Sequence, residues 1–413
     1  MIGAAVFTSA GYSLQVLASR PWVLLAWLLG AVIAVAGAVS YGILAEQIRE
    51  SGGEYVYLAR RVHPLAGFLA GWVSLWAGFT GALAFAATAF EAYAADLLPG
   101  SLPEGTLAIA LIAACTVQHC LGVSGGARVQ DAIVAFKLLA LLVLVGCGTW
   151  WMAGHDILPS AAAGHFAWSD FAHQLTYVYL AYSGFNAAVY ISEEVRTPER
   201  TLPRAMLAGT LLVTLLYLAL NALFVYAGPV DQLAGQADIA AVAMGLLGGA
   251  VAETATRVVI CTALITSASA LTMSGPRVYS KMAADGLFPL PVTRGGRPPV
   301  AAIALQAVLA SLIALNADME QQLSYLGFLL MLSAAGAVAS VFWPIAGPQA
   351  ARPRWWQFSA AAVFVASAVI LAGLTLWRDR QPAIRAALYT LIAGVVAYAL
   401  LRISAKIRPR RSA

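Results

Sequence analysis

Runs of about twenty apolar residues, the length a helix needs to cross the hydrocarbon of a bilayer, recur along the whole of this chain. They fall near 1–18, 22–46, 65–97, 106–122, 131–153, 170–193, 205–227, 250–273, 298–316, 322–345, 356–377 and 384–403. Inside lipid every backbone N–H and C=O must find an internal partner, so only helices and closed barrels can span. Continuous apolar runs of this length select helices. The expected fold is an all-α polytopic membrane protein of about twelve spans, with the first one truncated. A content of 61% hydrophobic and 10% charged residues fits, since soluble chains carry roughly a quarter charged residues. No stretch remains for a soluble domain, so residues 1–413 read as one transmembrane unit.

The polar residues sit between the runs. Arg49, Arg60, Arg61, Arg128, Arg196, Arg200, Arg204, Arg277 and Lys281 fall in alternate loops, and Lys406, Arg408, Arg410 and Arg411 in the tail. The other loops carry mostly acids, such as Glu104, Asp156, Asp231, Asp238, Asp318 and Glu320. The positive-inside rule then places both ends in the cytoplasm and the chain in the cytoplasmic membrane. Arg378, Arg380 and Arg385 break the pattern. The net charge of +5 is loop charge facing lipid headgroups and does not point to nucleic acid. Cys115, Cys120, Cys147 and Cys261 have neither metal-ligand nor redox spacing. No metal, cofactor or nucleophile–base pair is expected, and the chain does not read as an enzyme. Oligomeric state is not readable.

Two runs are interrupted. The stretch IGAAVFTSAG from Ile2 carries glycines, and LAYSGFNAAVYISEEVRTPERTLPR, Leu180 to Arg204, breaks at Ser183, Gly184 and Asn186 before a block of charge. A broken helix inside lipid leaves backbone groups unpaired unless protein or a cavity satisfies them. Paired breaks at matching places in two halves mark a midplane binding site; a glycine packing notch is the plainer account. The halves would be about 1–153 and 170–345, with 356–403 appended.

Five stretches together carry a resemblance: IGAAVF at Ile2, SGGEYVYLAR at Ser51, GARVQDAIVAFKLLAL at Gly126, AYSGFNAAVYISEEVRTPERTLPRA at Ala181 and RVYSKMAADGLFP at Arg277. In that order they resemble the amino acid–polyamine–organocation superfamily, and within it bacterial relatives of L-type amino acid transporters. The resemblance implies the leucine-transporter fold, five-plus-five inverted repeats with two appended helices, and alternating access. It implies that Gly3, Ala4 and Ala5 meet a substrate carboxylate. Carbonyls of Leu180, Ala181 and Ser183 would meet its ammonium, with Gly184, Phe185 and Asn186 beside them. The chain reads GAA where the family usually has GSG. Met1 stands well inside the family's first helix, so either an upstream start or a missing piece of the inner gate is expected.

Lys137 lies deep in an apolar run, where an ionisable group is a functional candidate or a snorkelling lysine. The resemblance implies that it replaces a sodium ion, touching carbonyls near Gly3 and hydroxyls among Thr266, Ser267 and Ser269. Glu193 and Glu194 are either a solvated loop or a latch to Arg128 or Arg277. Glu91 and Asp96 either face water or contact a cationic substrate; Gln118 and His119 read as structural. Phe7, Tyr182, Phe185, Asn186 and Tyr190 are candidates for side-chain selectivity. No acid lies near either break in sequence, which argues against a cationic substrate. The expected function is a permease for amino acids, neutral ones above all, by sodium-independent exchange or facilitated transport. Proton-coupled symport or metabolite export is the alternative. A non-transporting sensor or scaffold with the permease fold is another.

Overall fold

The computed structural model describes all residues except 1, 101, 123–126, 155–166, 291–298, 344–352, 379–381 and 408–413. The described residues are helical, with no strand among them. The helices are α1 (Ala5–Leu17), α2 (Arg20–Gln47), α3 (Glu54–Arg61), α4 (Pro64–Val73), α5 (Ala82–Ala94), α6 (Thr106–Cys120), α7 (Ala127–Met152), α8 (Trp168–Tyr182), α9 (Pro198–Tyr226), α10 (Val230–Leu233), α11 (Ile239–Ala284), α12 (Val300–Asn316), α13 (Met319–Ala339), α14 (Trp355–Arg378) and α15 (Pro382–Ile407). A π-helical stretch, Ser74–Gly81, joins α4 to α5, and a 3₁₀ stretch, Ser183–Glu194, continues α8.

Every apolar run of the sequence falls on one of these helices. Eight helical stretches among the described residues are long and apolar enough to cross a membrane, and α6 and α12 are shorter apolar helices. The long element α11 is interrupted at Gly249 (φ 72°, ψ −171°). Its first part, before Gly249, lies ahead of the apolar run near 250–273.

Helices α1 and α8 lie at the centre. α1 packs on α8, and α2 lies along both α8 and α9. α14 covers the outer face of α2 and α8, while α5, α7 and α12 flank α11. Small residues permit these close approaches in the absence of a hydrophobic drive between helices in lipid. At Gly11 of α1 an added Cβ would lie 2.1 Å from the carbonyl oxygen of Gln236. The Gly235 N–H donates to the Gly11 carbonyl at 2.9 Å, which staples α1 to the loop after α10.

At that same end Arg257 of α11 gathers three carboxylates. One guanidinium nitrogen lies 2.8 Å from Asp96, 2.8 Å from Asp238 and 2.9 Å from Glu253. Tyr93 completes the closure, donating to the Phe7 carbonyl at 2.6 Å and accepting from the Ala240 N–H at 3.3 Å. The opposite end carries Arg60, Arg61, Arg277 and the charged segment after Ser192. There Arg61 holds the Ser340 and Trp343 carbonyls, and Arg277 pairs with Glu194.

Candidate functional site

A cavity of about 570 Å³ opens where the start of α1, the end of α8, the π-helical stretch, α7 and α11 meet. Gly3, Ala4 and Ala5 line it on one side. Helix α1 begins at Ala5 with no side-chain cap; the Phe7 N–H turns back to the Ala4 carbonyl at 3.0 Å, and the helix start is a positive dipole end.

Leu180, Ala181, Ser183, Gly184 and Asn186 line the cavity on the second side. The backbone there does not unwind as the sequence suggested. The α-helix stops at Tyr182, and the chain tightens into 3₁₀ winding through Glu194, with a kink at Ile191 (φ −120°, ψ 23°). The change of winding costs carbonyls some of their freedom. The Leu180 carbonyl accepts both the Ser183 N–H and, at 2.8 Å, the Ser183 hydroxyl. The Ala181 carbonyl accepts the Tyr217 hydroxyl of α9 at 3.2 Å.

Lys137 projects from α7 into this junction. Its ammonium donates to the Ile2 carbonyl at 2.6 Å, the Ala263 carbonyl at 3.2 Å and the Ser267 hydroxyl at 3.1 Å. Ser267 also donates to Ile2, at 3.2 Å. Three segments, α7, α11 and the residues before α1, are thus held at one point. Thr266 lines the cavity but turns its hydroxyl back to the Ala263 carbonyl. Ser269 does not reach the lysine: its hydroxyl lies 2.9 Å from His119 Nε2 of α6, on another face of α11.

Several expected residues lie elsewhere. Phe185, 2% exposed, turns away from the cavity and packs edge-on against Tyr41 and Phe364. Phe7 and Tyr182 are buried between helices; Tyr182 packs at a tilt against Trp27 and Tyr217. The aromatic walls are Phe79, Phe85, Tyr179 and Tyr190. Glu91 caps α6, accepting from the Gly105 and Ala108 N–H groups, and Asp96 pairs with Arg257; neither lines the cavity. Glu194 pairs with Arg277 between half-exposed side chains. Glu193 receives a backbone tie only, its N–H donating to Ser51 Oγ at 3.0 Å. The Arg128 side chain and Met1 lie outside the described residues.

The largest departure is Glu54. In sequence it belongs to a loop far from either break; the fold places it in the cavity wall. Gly53 enters α3 at φ +60° with the Tyr190 ring 2.4 Å from where its Cβ would be. This turn drives Glu54, 4% exposed, against the 3₁₀ stretch. Its Oε1 accepts from Tyr41 at 2.7 Å and from Asn186 at 2.5 Å, and its Oε2 accepts from Tyr190. An acid does reach the second interruption, contrary to the sequence reading, but three neutral donors already occupy it. The legible signal was an acid at a helix start between a glycine pair and the amphipathic run EYVYLARR.

The start of α1 and the change of winding at the end of α8 meet at a cavity inside a bundle of membrane-length apolar helices, the build of a multi-pass membrane protein. The chain matches the amino acid permease family over residues 1–398 and belongs to it. It is 29% identical to the human large neutral amino acids transporter small subunit 2, over 80% of this chain and 64% of that protein. It is 26% identical to the serine/threonine exchanger SteT of Bacillus subtilis, over 78% of this chain and 76% of that one. Identity to the human Asc-type amino acid transporter 1 is 30%, over 60% of this chain and 50% of the relative. The chain therefore spans a little under two thirds of the length of the large neutral amino acid relatives it matches.

Proposed function

We propose that the protein moves neutral α-amino acids across the cell membrane by alternating access, without sodium, as an exchanger or facilitator. The observation that carries this is the cavity at the meeting point of the α1 start and the α8 end. The N-terminal dipole at Ala5 suits a carboxylate, and the carbonyl dipoles of Ala181 and Ser183 suit an ammonium. The ammonium of Lys137 fills the place between α1 and α11 that a bound cation would otherwise have to bridge. Neutral substrates fit the apolar and aromatic walls, and Glu54 does not oppose them because its oxygens are engaged. The names of the relatives point the same way. The excess of Arg and Lys at the Arg60–Arg61 end makes that end cytoplasmic. The leucine-transporter repeat organisation belongs to this proposal also.

The test is counterflow in proteoliposomes loaded with a mixture of unlabelled amino acids. Labelled L-serine and L-leucine are added outside in sodium-free buffer, and each of the twenty amino acids is tried as competitor. Saturable exchange without sodium or a pH gradient supports the reading. Binding without flux for every amino acid would instead favour the sensor reading, and strict dependence on an inward proton gradient would favour symport.

A further inference from the structure

The orientation of one amide in the cavity wall follows from the chemistry of its partner. Asn186 lines the cavity and places its amide 2.5 Å from Glu54 Oε1. Oxygen and nitrogen of an amide have nearly the same shape, so the partner has to decide which is which. Glu54 receives three groups that can donate, from Tyr41, Asn186 and Tyr190. A carboxylate accepts and cannot donate. The Asn186 NH₂ must therefore face Glu54, and its Oδ1 is left on the opposite side of the amide plane. Asn186 makes no other hydrogen bond among the described residues, and Oδ1 is not among the fully buried unpartnered atoms. It is an open acceptor at the cavity.

We infer that Glu54 is a positioning residue for substrate selectivity: it locks Asn186 so that the wall offers a hydrogen-bond acceptor, which selects amino acids whose short side chain carries a donor, a hydroxyl above all. This rests on the amino-acid carrier reading and adds the side-chain class. Asn186 stands past the Ala181 and Ser183 carbonyls, so the α-ammonium is met there and the side chain reaches Asn186. Glu54 lines the cavity, but its oxygens are engaged by Tyr41, Asn186 and Tyr190. Its effect passes through Asn186, and the fixed Tyr41 and Tyr190 phenols keep the carboxylate from swinging away. An amide free to flip would accept from a hydroxyl in one orientation and donate in the other, and would discriminate little.

The decisive comparison is L-serine against L-2-aminobutyrate, in which a methyl replaces the hydroxyl at nearly equal volume. Binding is read as ligand-dependent thermal stabilisation of the purified, detergent-solubilised full chain, and flux is read in parallel in proteoliposomes. One added neutral hydrogen bond corresponds to a preference of about five- to tenfold for serine in the wild type. Glu54→Ala brings the ratio to about one. Glu54→Gln restores most of it, because its carbonyl can still accept from Tyr41 and Asn186. Asn186→Leu, which leaves Glu54 in place, also abolishes the ratio and serves if Glu54→Ala does not give a folded protein. A wild type that binds both ligands equally, or a Glu54→Ala or Asn186→Leu protein that keeps the wild-type ratio, overturns the inference. Serine preference in binding without flux of either ligand would overturn the carrier reading and leave the role of Glu54 standing.

Discussion

Replacing Lys137 by alanine separates what holds the fold together from what the site does. The lysine makes one short bond, to Ile2 at 2.6 Å, and two longer ones, to Ser267 and Ala263 at 3.1 and 3.2 Å. A hydrogen bond from a charged donor contributes about 1.5–3 kcal/mol, and the longer pair adds about 1 kcal/mol more. Against this stands the cost of keeping an ammonium away from water, several kcal/mol for a buried ion. No carbonyl is orphaned by the change. The single Ser267 hydroxyl proton can serve Ile2, while Ala263 keeps the Thr266 hydroxyl. The two sums nearly cancel, so thermal unfolding in detergent should shift by no more than about 1 kcal/mol in stability. The geometry is a different matter. The residues before α1 would be left with one long neutral bond to α11, losing about 2–3 kcal/mol of preference for the present arrangement, which is roughly a 30- to 150-fold loss in exchange rate. The assay is counterflow of the labelled substrate in proteoliposomes, normalised to reconstituted protein, beside a melting curve of the same preparation. Lys137→Met serves as control for lost side-chain packing and should behave like the alanine variant. Exchange within about threefold of wild type, with the melting curve unmoved, would refute the reasoning.

Three further changes test other parts of the structure. Arg257→Gln leaves Asp96, Asp238 and Glu253 facing one another; since Asp96 is largely exposed, the loss comes mainly from the other two, about 2–3 kcal/mol, read as a clear drop in melting temperature, and an unchanged melt would show that the cluster is fully solvated. Gly11→Ala forces a Cβ against a backbone oxygen 2.1 Å away and should destabilise by about 1–3 kcal/mol, whereas Gly146→Ala, with nothing within 4 Å, should not; equal melts for the two would contradict the close approach of α1. Glu194→Gln removes an ion pair whose side chains are 62% and 42% exposed, so stability should change by less than about 1 kcal/mol, and a large loss would mean that the pair is a true latch.

The helices were legible because their signal is local. A run such as 22–46 or 356–377 states its own length and apolarity, and lipid leaves it one way to pair its backbone. The glycine and serine after Tyr182 were legible as places where the winding of such a run changes. The form of the change was not: whether a chain past Tyr182 opens into coil or winds as 3₁₀ depends on neighbours such as Tyr217 and Glu54 that reach it from other helices. Glu54 itself was invisible as a site residue for the same reason. It lies 132 residues from Asn186 in the chain, and only the turn at Gly53 brings them together. Phe185 shows the opposite error, since an aromatic beside a break reads as a cavity wall, yet a 3₁₀ turn advances side chains by a larger angle than an α turn and points it at Tyr41 and Phe364. Lys137 was legible as an ionised group too deep to be idle, while the choice of Ser267 over Ser269 as its neighbour required the rotation of α11 about its axis.

The π-helical stretch Ser74–Gly81 has its own effect on how the cavity is built. One surplus residue in a turn rotates everything beyond it by about 100° relative to an unbroken helix. Before the stretch, Trp72 is anchored outward, its indole N–H donating to the Thr390 carbonyl of α15 at 2.9 Å. After it, Ala82, Phe85 and Ala86 look inward on the cavity. The same rod therefore grips the periphery with one end and furnishes the binding chamber with the other. Deleting a single residue between Ser74 and Gly81 would swing Phe85 out of the chamber while leaving the clasp on α15 untouched.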